Sequence, residues 1–555
     1  MTLRSLLPVC LVLACAEGGG SDDGTADTDV DPTPGSATDP SADGSGEATD
    51  GAGTTDGPDT ADTADTADTA DTGEQPTCEA THTSPDAQLW TLPTPIADLD
   101  GEPYRQQSGA DVCAVDGTVD FYYASIDLTG DGRLDLVVTS ACDDGDVGSD
   151  FWLVYAGGEE GFADEATLWS LPAPTTNLDG EPFRQLGGAD VCAADGTVDF
   201  YYSIADLTAD GIPDLVVTSA CDAGDVGSDF WLVYPGGEGG FADDASLWSL
   251  PTPTATLDGE PFRQLGGAEV CAADGTVDFY HAVTDLTADG VVDLVVTSAC
   301  DDGDVGSDLW LVYAGGAEGF AEEATVWTLP TPTTNLDGEP FRQLGGADVC
   351  AADGTVDFYY SIADLTADGT TDLVVTSACD AGDVGSDFWL VYPGGDGGFA
   401  DDASLWSLPT PIATLDGEPF RQLGGAEVCA ADGTVDFYYA STDLTADGIT
   451  DLVITSACDD GDVGSGFWLV YPGGAEGFAD DGALWGLPTP TATLDGEPFR
   501  QLGGANVCAA DGTVEFYYGS MDLTADGIVD LVVTSACDAG DVGSEFWLVY
   551  PGACE

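Results

Sequence analysis

The sequence predicts an all-β fold, a six-bladed β-propeller whose blades are four-stranded sheets, and two observations predict it. An acidic turn that begins at Asp127 occurs six times, always 79 residues after the previous copy. Each repeat unit also holds four short runs rich in Val, Leu, Tyr, Phe and Trp, bounded by Gly, Pro and Asp as strands are. No run has the periodicity of a helix. Four strands in each of six successive units is the pattern of a propeller.

The ends of the chain predict how the ring closes. Before the first complete unit, residues 89–92 have the character of a fourth strand, and the last unit stops after a third strand at residues 546–550. The N-terminal strand is therefore expected to complete the last blade. In the second unit the sequence predicts strands at residues 198–207, 215–221, 230–234 and 246–250.

The first residues are typical of an export signal. Arg4 precedes an apolar run too short to span a bilayer, and the run ends Val-Leu-Ala-Cys at Cys15. This ending resembles the lipobox of bacterial lipoproteins, which implies cleavage after residue 14 and a lipid on Cys15. An ordinary secretory signal cleaved elsewhere is the alternative. The resemblance implies an exported lipoprotein of the outer membrane or cell surface.

Composition divides the rest of the chain. Residues 15–77 are mostly Asp, Thr, Gly, Ser, Ala and Pro, which cannot bury a core, so we expect a disordered acidic linker that starts at the lipidated Cys15. Residues 78–555 hold the six units and form the expected propeller. The low-complexity linker would act as a tether between the signal at residues 1–14 and the propeller.

Charge limits the classes of partner. The chain carries 104 acidic residues against 8 basic ones, a net charge of −96. Such a surface repels nucleic acid and anionic lipid headgroups, and it attracts divalent cations and basic partners. We therefore expect no nucleic-acid partner, a membrane contact through the lipid anchor alone, and a monomer.

The acidic turn between the first two strands of each unit reads Asp-x-Thr-x-Asp-Gly-x-x-Asp. Its fourth residue is Gly in the first copy and Ala in the other five. Side-chain oxygens at positions one, three, five and nine suit Ca²⁺, as in the first half of an EF-hand loop, and Gly at position six permits a sharp turn. A hairpin turn without metal is the alternative. The sequence predicts about one Ca²⁺ per unit, held by Asp127, Thr129, Asp131, Asp135, Asp206, Thr208, Asp210, Asp214, Asp285, Thr287, Asp289, Asp293, Asp364, Thr366, Asp368, Asp372, Asp443, Thr445, Asp447, Asp451, Asp522, Thr524, Asp526 and Asp530.

The turn and the end of the third strand together resemble a known repeat. Residues 205–217 read Ala-Asp-Leu-Thr-Ala-Asp-Gly-Ile-Pro-Asp-Leu-Val-Val, and residues 232–241 read Leu-Val-Tyr-Pro-Gly-Gly-Glu-Gly-Gly-Phe. This is similar to the FG-GAP/VCBS repeat of integrin α-like propellers and many bacterial surface proteins, which implies a propeller with Ca²⁺ in the loop between strands one and two. The chain departs from the family in Thr at position three and in a long connection from strand four to strand one. Such a connection, for example residues 252–276, is expected to be a binding element or to hold an extra hairpin.

Twelve cysteines follow the repeat, one before the first strand and one at the end of the second strand of each unit. Antiparallel pairing brings those places to one end of the hairpin, and an even count in an exported chain favours disulfides. Free buried thiols are the alternative. Ring closure would also bring together two cysteines that flank the units. The predicted pairs are Cys78–Cys554, Cys113–Cys142, Cys192–Cys221, Cys271–Cys300, Cys350–Cys379, Cys429–Cys458 and Cys508–Cys537.

The face opposite the turns carries one arginine per unit. In an acidic field such an arginine is expected to pair with a nearby carboxylate and hold its loop, and gripping an anionic or sugar ligand is the alternative. The tryptophans lie within strands and are expected in the core. The possible ligand face is marked by Arg105, Arg184, Arg263, Arg342, Arg421 and Arg500.

These features favour a binding protein. Nearly identical units offer one site six times, which suits multivalent recognition of a glycan or a surface protein. Catalysis needs a unique arrangement of groups with separated pKa values, and nearly identical units offer none. His281 is present in one unit alone, but it stands where the other copies have Tyr, so we interpret it as sequence drift and not as a catalytic group. We expect a lipid-anchored, calcium-stabilised surface propeller for binding or adhesion and no enzyme. A secreted glycosidase or lyase on a propeller, or an inert surface spacer, are the alternatives.

Overall fold

The structure, a computed structural model, describes segments of the chain between residues 80 and 554, all of which belong to one compact unit. In these segments no helix is long and apolar enough to cross a membrane. The described residues are 80–83, 87–93, 106–107, 119–120, 122–139, 151–172, 201–218, 230–237, 239–251, 264–266, 277–297, 309–330, 343–345, 356–376, 388–395, 397–409, 422–424, 435–456, 466–488, 517–535 and 546–554.

The predicted six-bladed propeller is confirmed, because the described strands form six antiparallel four-stranded blades in which consecutive strands are neighbours. Blades one to three consist of Tyr122–Ile126, Asp135–Thr139, Phe151–Tyr155 and Thr167–Ser170; Tyr201–Ala205, Asp214–Thr218, Phe230–Tyr234 and Ser246–Ser249; Val277–Thr284, Asp293–Thr297, Leu309–Tyr313 and Thr325–Thr328. Blades four to six consist of Val356–Ala363, Asp372–Thr376, Phe388–Tyr392 and Ser404–Ser407; Val435–Thr442, Asp451–Thr455, Phe467–Tyr471 and Ala483–Gly486; Tyr517–Met521, Asp530–Thr534, Phe546–Tyr550 and Gln88–Thr91.

The ring closes as predicted, with an N-terminal strand in the last blade. Gln88–Thr91 pairs with Phe546–Tyr550, and Trp90 lies opposite Trp547. A second pairing joins the ends further, because the strand Ala80–Thr83 runs antiparallel to the strand Gly552–Cys554. The backbone of Cys554 lies opposite Ala80, close in sequence to Cys78. Because Cys78 is outside the described residues, the Cys78–Cys554 disulfide stays a prediction.

The connection from strand four to strand one contains an additional short strand. In blades three, four and five a three-residue strand pairs in parallel with the start of the first strand. A two-residue strand, Gln106–Gln107, pairs in the same way with Val119–Asp120. The extra strand is parallel to its neighbour, so the two do not form a hairpin. In blades three to five these strands are Gln264–Gly266, Gln343–Gly345 and Gln422–Gly424.

Apolar side chains fill the seams between neighbouring blades. In blade one, Trp152 and Trp169 lie opposite each other on strands three and four and are buried, as predicted for the tryptophans. Phe241 of blade two packs edge-on against both, with ring centroids 5.7 Å from Trp152 and 5.0 Å from Trp169. Edge-to-face geometry at these distances is favourable for aromatic pairs. In blades one to five the Gly-Phe ending therefore supplies a ring that joins the unit to the preceding blade.

The seam between blades five and six differs in sequence. In blades one to five a Phe stands seven residues before the fourth-strand Trp, but before Trp90 that place holds Thr83. Trp485 in this seam is only partly buried, whereas Trp169 in the equivalent place is 1% exposed. A small cavity is lined by Trp468, Trp485 and neighbouring apolar side chains. This seam therefore lacks the Phe that the other seams place against the paired tryptophans.

Candidate functional site: the acidic turns

The backbone of the acidic turn is left-handed at two of its nine positions. Gly211, at position six, has φ of 87°, which glycine adopts without steric cost. Ala209, at position four, has φ of 56°, a conformation in which a Cβ is strained. The first copy places Gly130 there, with φ of 71°. Five of the six turns therefore carry a strained alanine where the first carries glycine.

The carboxylates at positions one and five shape the exposed side of the turn. In the second copy, Asp206 accepts hydrogen bonds from the backbone N–H groups of Asp210 and Gly211, at 3.1 and 2.9 Å. Asp210 accepts one from the N–H of Ile212 at 2.9 Å. The same three bonds occur in every copy, from Asp127 in the first to Asp522 in the last. The turn is thus held by side-chain acceptors that Asp provides.

The carboxylate at position nine faces the interior. Asp214 is 0% exposed. One of its oxygens accepts hydrogen bonds from the N–H groups of Leu207 and Thr208, both at 2.9 Å, and the other accepts one from Gly236 at 3.0 Å. Gly236 follows the third strand, so this carboxylate ties the turn to a second loop. A Cβ at Gly236 would overlap the carbonyl oxygen of Pro213, so only glycine permits this approach.

The same arrangement recurs in all six units. The position-nine carboxylates are all 0–1% exposed, and each accepts three backbone hydrogen bonds. The pattern of three N–H donors is the kind of partner set that a buried carboxylate requires. The six residues are Asp135, Asp214, Asp293, Asp372, Asp451 and Asp530.

Burial and neighbouring charge act on the acidic groups of the turn. Burial raises the pKa of Asp443 at position one, and the nearby carboxylate of Asp447 raises it further, against hydrogen bonds that lower it. Burial also raises the pKa of Asp451 at position nine, with a contribution from Asp443. Asp443 is thus close enough to Asp447 and to Asp451 for repulsion between the charges, a cost that a bound cation would remove.

The position-three threonine lies beside the buried carboxylate. In the second, fifth and sixth copies its hydroxyl donates a long hydrogen bond of 3.4 Å to position nine, as Thr208 does to Asp214. In the third and fourth copies the hydroxyls of Thr287 and Thr366 still lower the pKa of Asp293 and Asp372, so among the position-three hydroxyls of the described turns only that of Thr129 is buried without a hydrogen-bond partner. An unpartnered buried hydroxyl is costly and can accept a further interaction.

The oxygen atoms of the turn are of the type that binds Ca²⁺, but their arrangement fits the ion less well. Carboxylate and hydroxyl oxygens suit the ion, and the unpartnered hydroxyl of Thr129 stands at the predicted ligand position three. However, the described residues contain no cluster of three or more His, Cys, Asp or Glu side chains placed to hold a metal. Positions one and nine both direct their two oxygens to backbone N–H groups. An ion would therefore draw on position five and on the lone-pair capacity that the carboxylates at positions one and nine retain.

Hydrogen bonds join the turns of three successive blades. Thr371 donates a hydrogen bond of 3.5 Å from its hydroxyl to the carbonyl oxygen of Asp285 in the preceding blade. Thr450 makes the equivalent bond of 3.4 Å to Asp364. These partners are position eight of one turn and position one of the previous turn. The turns of blades three and four, and those of blades four and five, are therefore connected directly.

The other predicted site residues, which are cysteines and arginines, do not belong to the acidic turns. Cys15, the twelve repeat cysteines and the six arginines from Arg105 to Arg500 lie outside the residues that the structure describes. Arg133, in the first turn, forms an ion pair with Glu159 at 3.3 Å. Sequence reasoning missed the contribution of Gly236, although the Gly-Gly pair after the third-strand Tyr in most units is a signal for it.

Comparisons with known proteins support no family assignment. Neither a protein-family model nor a curated protein matches the chain. Similar solved structures include the Photorhabdus luminescens Tc holotoxin pore, with 17% identity and a TM-score of 0.40 over 85% of this chain. The matched region is 15% of the toxin chain, so this protein spans a small part of its length.

Two further structures cover most of both chains. One is an Agrocybe aegerita lectin that recognises non-reducing terminal N-acetylglucosamine, with 16% identity and a TM-score of 0.35, over 79% of this chain and 81% of the lectin. The other is the exotype rhamnogalacturonan lyase YesX, with 13% identity and a TM-score of 0.33, over 84% of this chain and 76% of the lyase. Similarities at this level carry no argument about function.

Proposed function

We propose that this protein is a lipid-anchored, calcium-stabilised propeller at the cell surface that recognises glycan or protein ligands in a multivalent manner. The observation that carries the proposal is the repetition of one turn geometry in six units, with the same hydrogen bonds to positions one, five and nine. Six equal sites on one ring suit a ligand that is itself repeated, because simultaneous engagement raises avidity without new contacts.

The calcium part of the proposal rests on the turn residues. In the second copy the ligands would be Asp206, Thr208, Asp210 and Asp214. Bound Ca²⁺ would supply positive charge to carboxylates that repel one another, and binding to the folded state alone stabilises that state. The chain's own residues hold the turn in shape beforehand, because Asp206 and Asp210 already accept backbone hydrogen bonds.

Calcium counting and thermal unfolding test this part on the exported, oxidised protein. We expect about six ions per chain by equilibrium dialysis and a rise in Tm with Ca²⁺ over the same protein in EGTA. Asp210→Asn is expected to lower the count by about one ion. The matched control Asp401→Asn removes an equal charge outside the turns and should leave the count unchanged. No bound ion and no shift in Tm would reject the calcium sites.

Membrane attachment and recognition are tested separately. Cys15→Ser is expected to move the protein from the membrane fraction to the soluble fraction, since it removes the predicted lipid attachment point. Binding to glycan and protein arrays printed at high and low density measures multivalency, and we expect retention to fall steeply at low density. Equal retention at both densities would reject multivalent recognition, and inertness on every array would favour a surface spacer.

A further inference from the structure

The outer edge of each blade presents an apolar side chain to solvent. The fourth strand of blade three is the last strand of its sheet, and its Val326 is 51% exposed while the next residue, Trp327, is buried. Leu405 is 49% exposed at the equivalent place in blade four. Large apolar residues repeated at one exposed position are unusual for a surface this polar. The remaining blades place Leu89, Leu168, Leu247 and Leu484 there, each 45–50% exposed.

The backbone of this outer strand has hydrogen-bonding groups that face away from the blade. In blade five the N–H of Leu487 donates to the carbonyl of Gly466 at 3.0 Å, so these opposite residues form a hydrogen-bonded pair. Bonded pairs alternate along antiparallel strands, so the Trp468–Trp485 pair is also bonded. The register is the same in blade three, where Trp310 lies opposite Trp327. The N–H and C=O groups of the residues on either side, Val326 and Thr328, therefore point outward.

A groove runs beside this edge. Its volume is about 730 Å³, within the range of ligand sites, and it lies between the outer strands of blades three and four. The exposed Val326 and Leu405 line it, with Leu390. Two adjacent carboxylates, Asp401 and Asp402, line it as well and are exposed. The groove thus combines apolar walls, negative charge and a strand edge that pairs with no other described strand.

Charge decides what kind of partner fits. The chain has a net charge of −96 and no lysine, so a second copy of it would bring strong repulsion to this edge. Among the described residues Arg133 is the only lysine or arginine, and it is paired with Glu159 in another blade. No basic side chain of the described residues therefore competes for Asp401 and Asp402.

We propose that the groove between blades three and four binds a cationic, extended peptide segment of a partner protein by strand addition. The segment pairs with the outer edge of Thr325–Thr328, places an apolar side chain against Leu390 and Leu405, and directs a basic side chain to Asp401 and Asp402. Strand addition uses main-chain hydrogen bonds for affinity and alternate side chains for specificity. This surface is separate from the acidic turns, so the inference goes beyond the proposed function and needs no calcium.

The probe is a nine-residue synthetic peptide of alternating leucine and arginine, added to the full chain in EGTA, with hydrogen–deuterium exchange followed by mass spectrometry. The Thr-Val-Trp-Thr sequence at residues 325–328 occurs once, so its fragment reports on blade three alone. We expect slower exchange there, and weaker protection as salt rises. A peptide with glutamate in place of arginine should give no protection.

Two variants and one modified peptide separate strand addition from general attraction to an acidic protein. The double variant Asp401→Asn and Asp402→Asn is expected to weaken binding at this site roughly tenfold, as two lost charge pairs would. The same double change at Asp243 and Asp244 is the matched control and should leave the fragment protected. A peptide N-methylated at alternate residues keeps its charge and side chains but cannot pair as a strand, and it should not protect. Equal protection by that peptide, or protection confined to the acidic turns, would overturn the proposal.

Discussion

Position nine of the acidic turn holds a buried carboxylate, and the effect of a substitution there on the free energy of unfolding has a predictable size. Asp214→Asn replaces one acceptor oxygen with an NH₂ group, which faces backbone N–H donors of the turn or of Gly236. Each buried donor left without an acceptor costs about 1–3 kcal/mol. Burial raises the pKa of Asp214, which means that part of the free energy gained from its hydrogen bonds offsets the cost of removing the carboxylate from water. We expect a net loss of about 2–4 kcal/mol in the free energy of unfolding.

The assay is urea unfolding followed by tryptophan fluorescence, in EGTA so that no ion contributes. The matched variant is Asp210→Asn in the same turn, which is exposed and accepts one hydrogen bond, from Ile212. It should cost less than about 1 kcal/mol. If the two variants lose equal stability in EGTA, the three bonds to Asp214 contribute no more than an exposed turn bond, and the reasoning is refuted.

Three further substitutions test other parts of the structure. Burial lowers the pKa of His281 to about 4, so as the pH drops from 6.5 towards 4 the imidazole is protonated in the unfolded chain but not in the folded one, and the free energy of unfolding falls. His281→Tyr, which introduces the residue of the other copies, should remove up to about 3 kcal/mol of that fall, as measured by urea unfolding across this pH range. Parallel pH profiles of the variant and the wild type would contradict this prediction. Ala209→Gly should raise stability by about 0.5–1 kcal/mol, because it relieves a positive φ, and a lower Tm than wild type would count against strain there. Phe241→Ala removes the ring that joins blade two to Trp152 and Trp169 and should cost about 2–4 kcal/mol, seen as a lower Tm, whereas Phe241→Leu should lose less.

The repeat made the architecture predictable from the sequence. A constant spacing of 79 residues fixes the number of blades, and the apolar runs between turns fix the order of strands. Phe230–Tyr234 has the predicted bounds, and Gln88–Thr91 completes the last blade as expected. The short parallel strand Gln264–Gly266 could not be predicted, because three residues that end in glycine carry neither alternation nor a turn signal.

The acidic turn was predictable in position but not in the direction of its side chains. Spacing places oxygen atoms at four positions, and it does not report whether a carboxylate faces solvent or the interior. The partner that turns Asp214 inward, Gly236, stands 22 residues later in the chain, beyond the third strand. Only the packed blade brings the two together, so the sequence alone could not distinguish an exposed carboxylate from a buried one that accepts hydrogen bonds from the backbone.

Two sets of interactions hold the blades, and they respond to different conditions. The aromatic contacts between blades, such as those of Phe241 with Trp152 and Trp169, are stabilised by apolar burial, and screening of charges by salt affects them little. The turns carry carboxylates that raise one another's pKa, as Asp447 does for Asp443, so they are sensitive to cations and ionic strength. Removing cations should therefore speed hydrogen exchange first in the turns, around residues 443–451, and leave residues 467–471 of the same blade protected. Simultaneous loss of protection in both would mean that the turns and seams unfold as one cooperative unit.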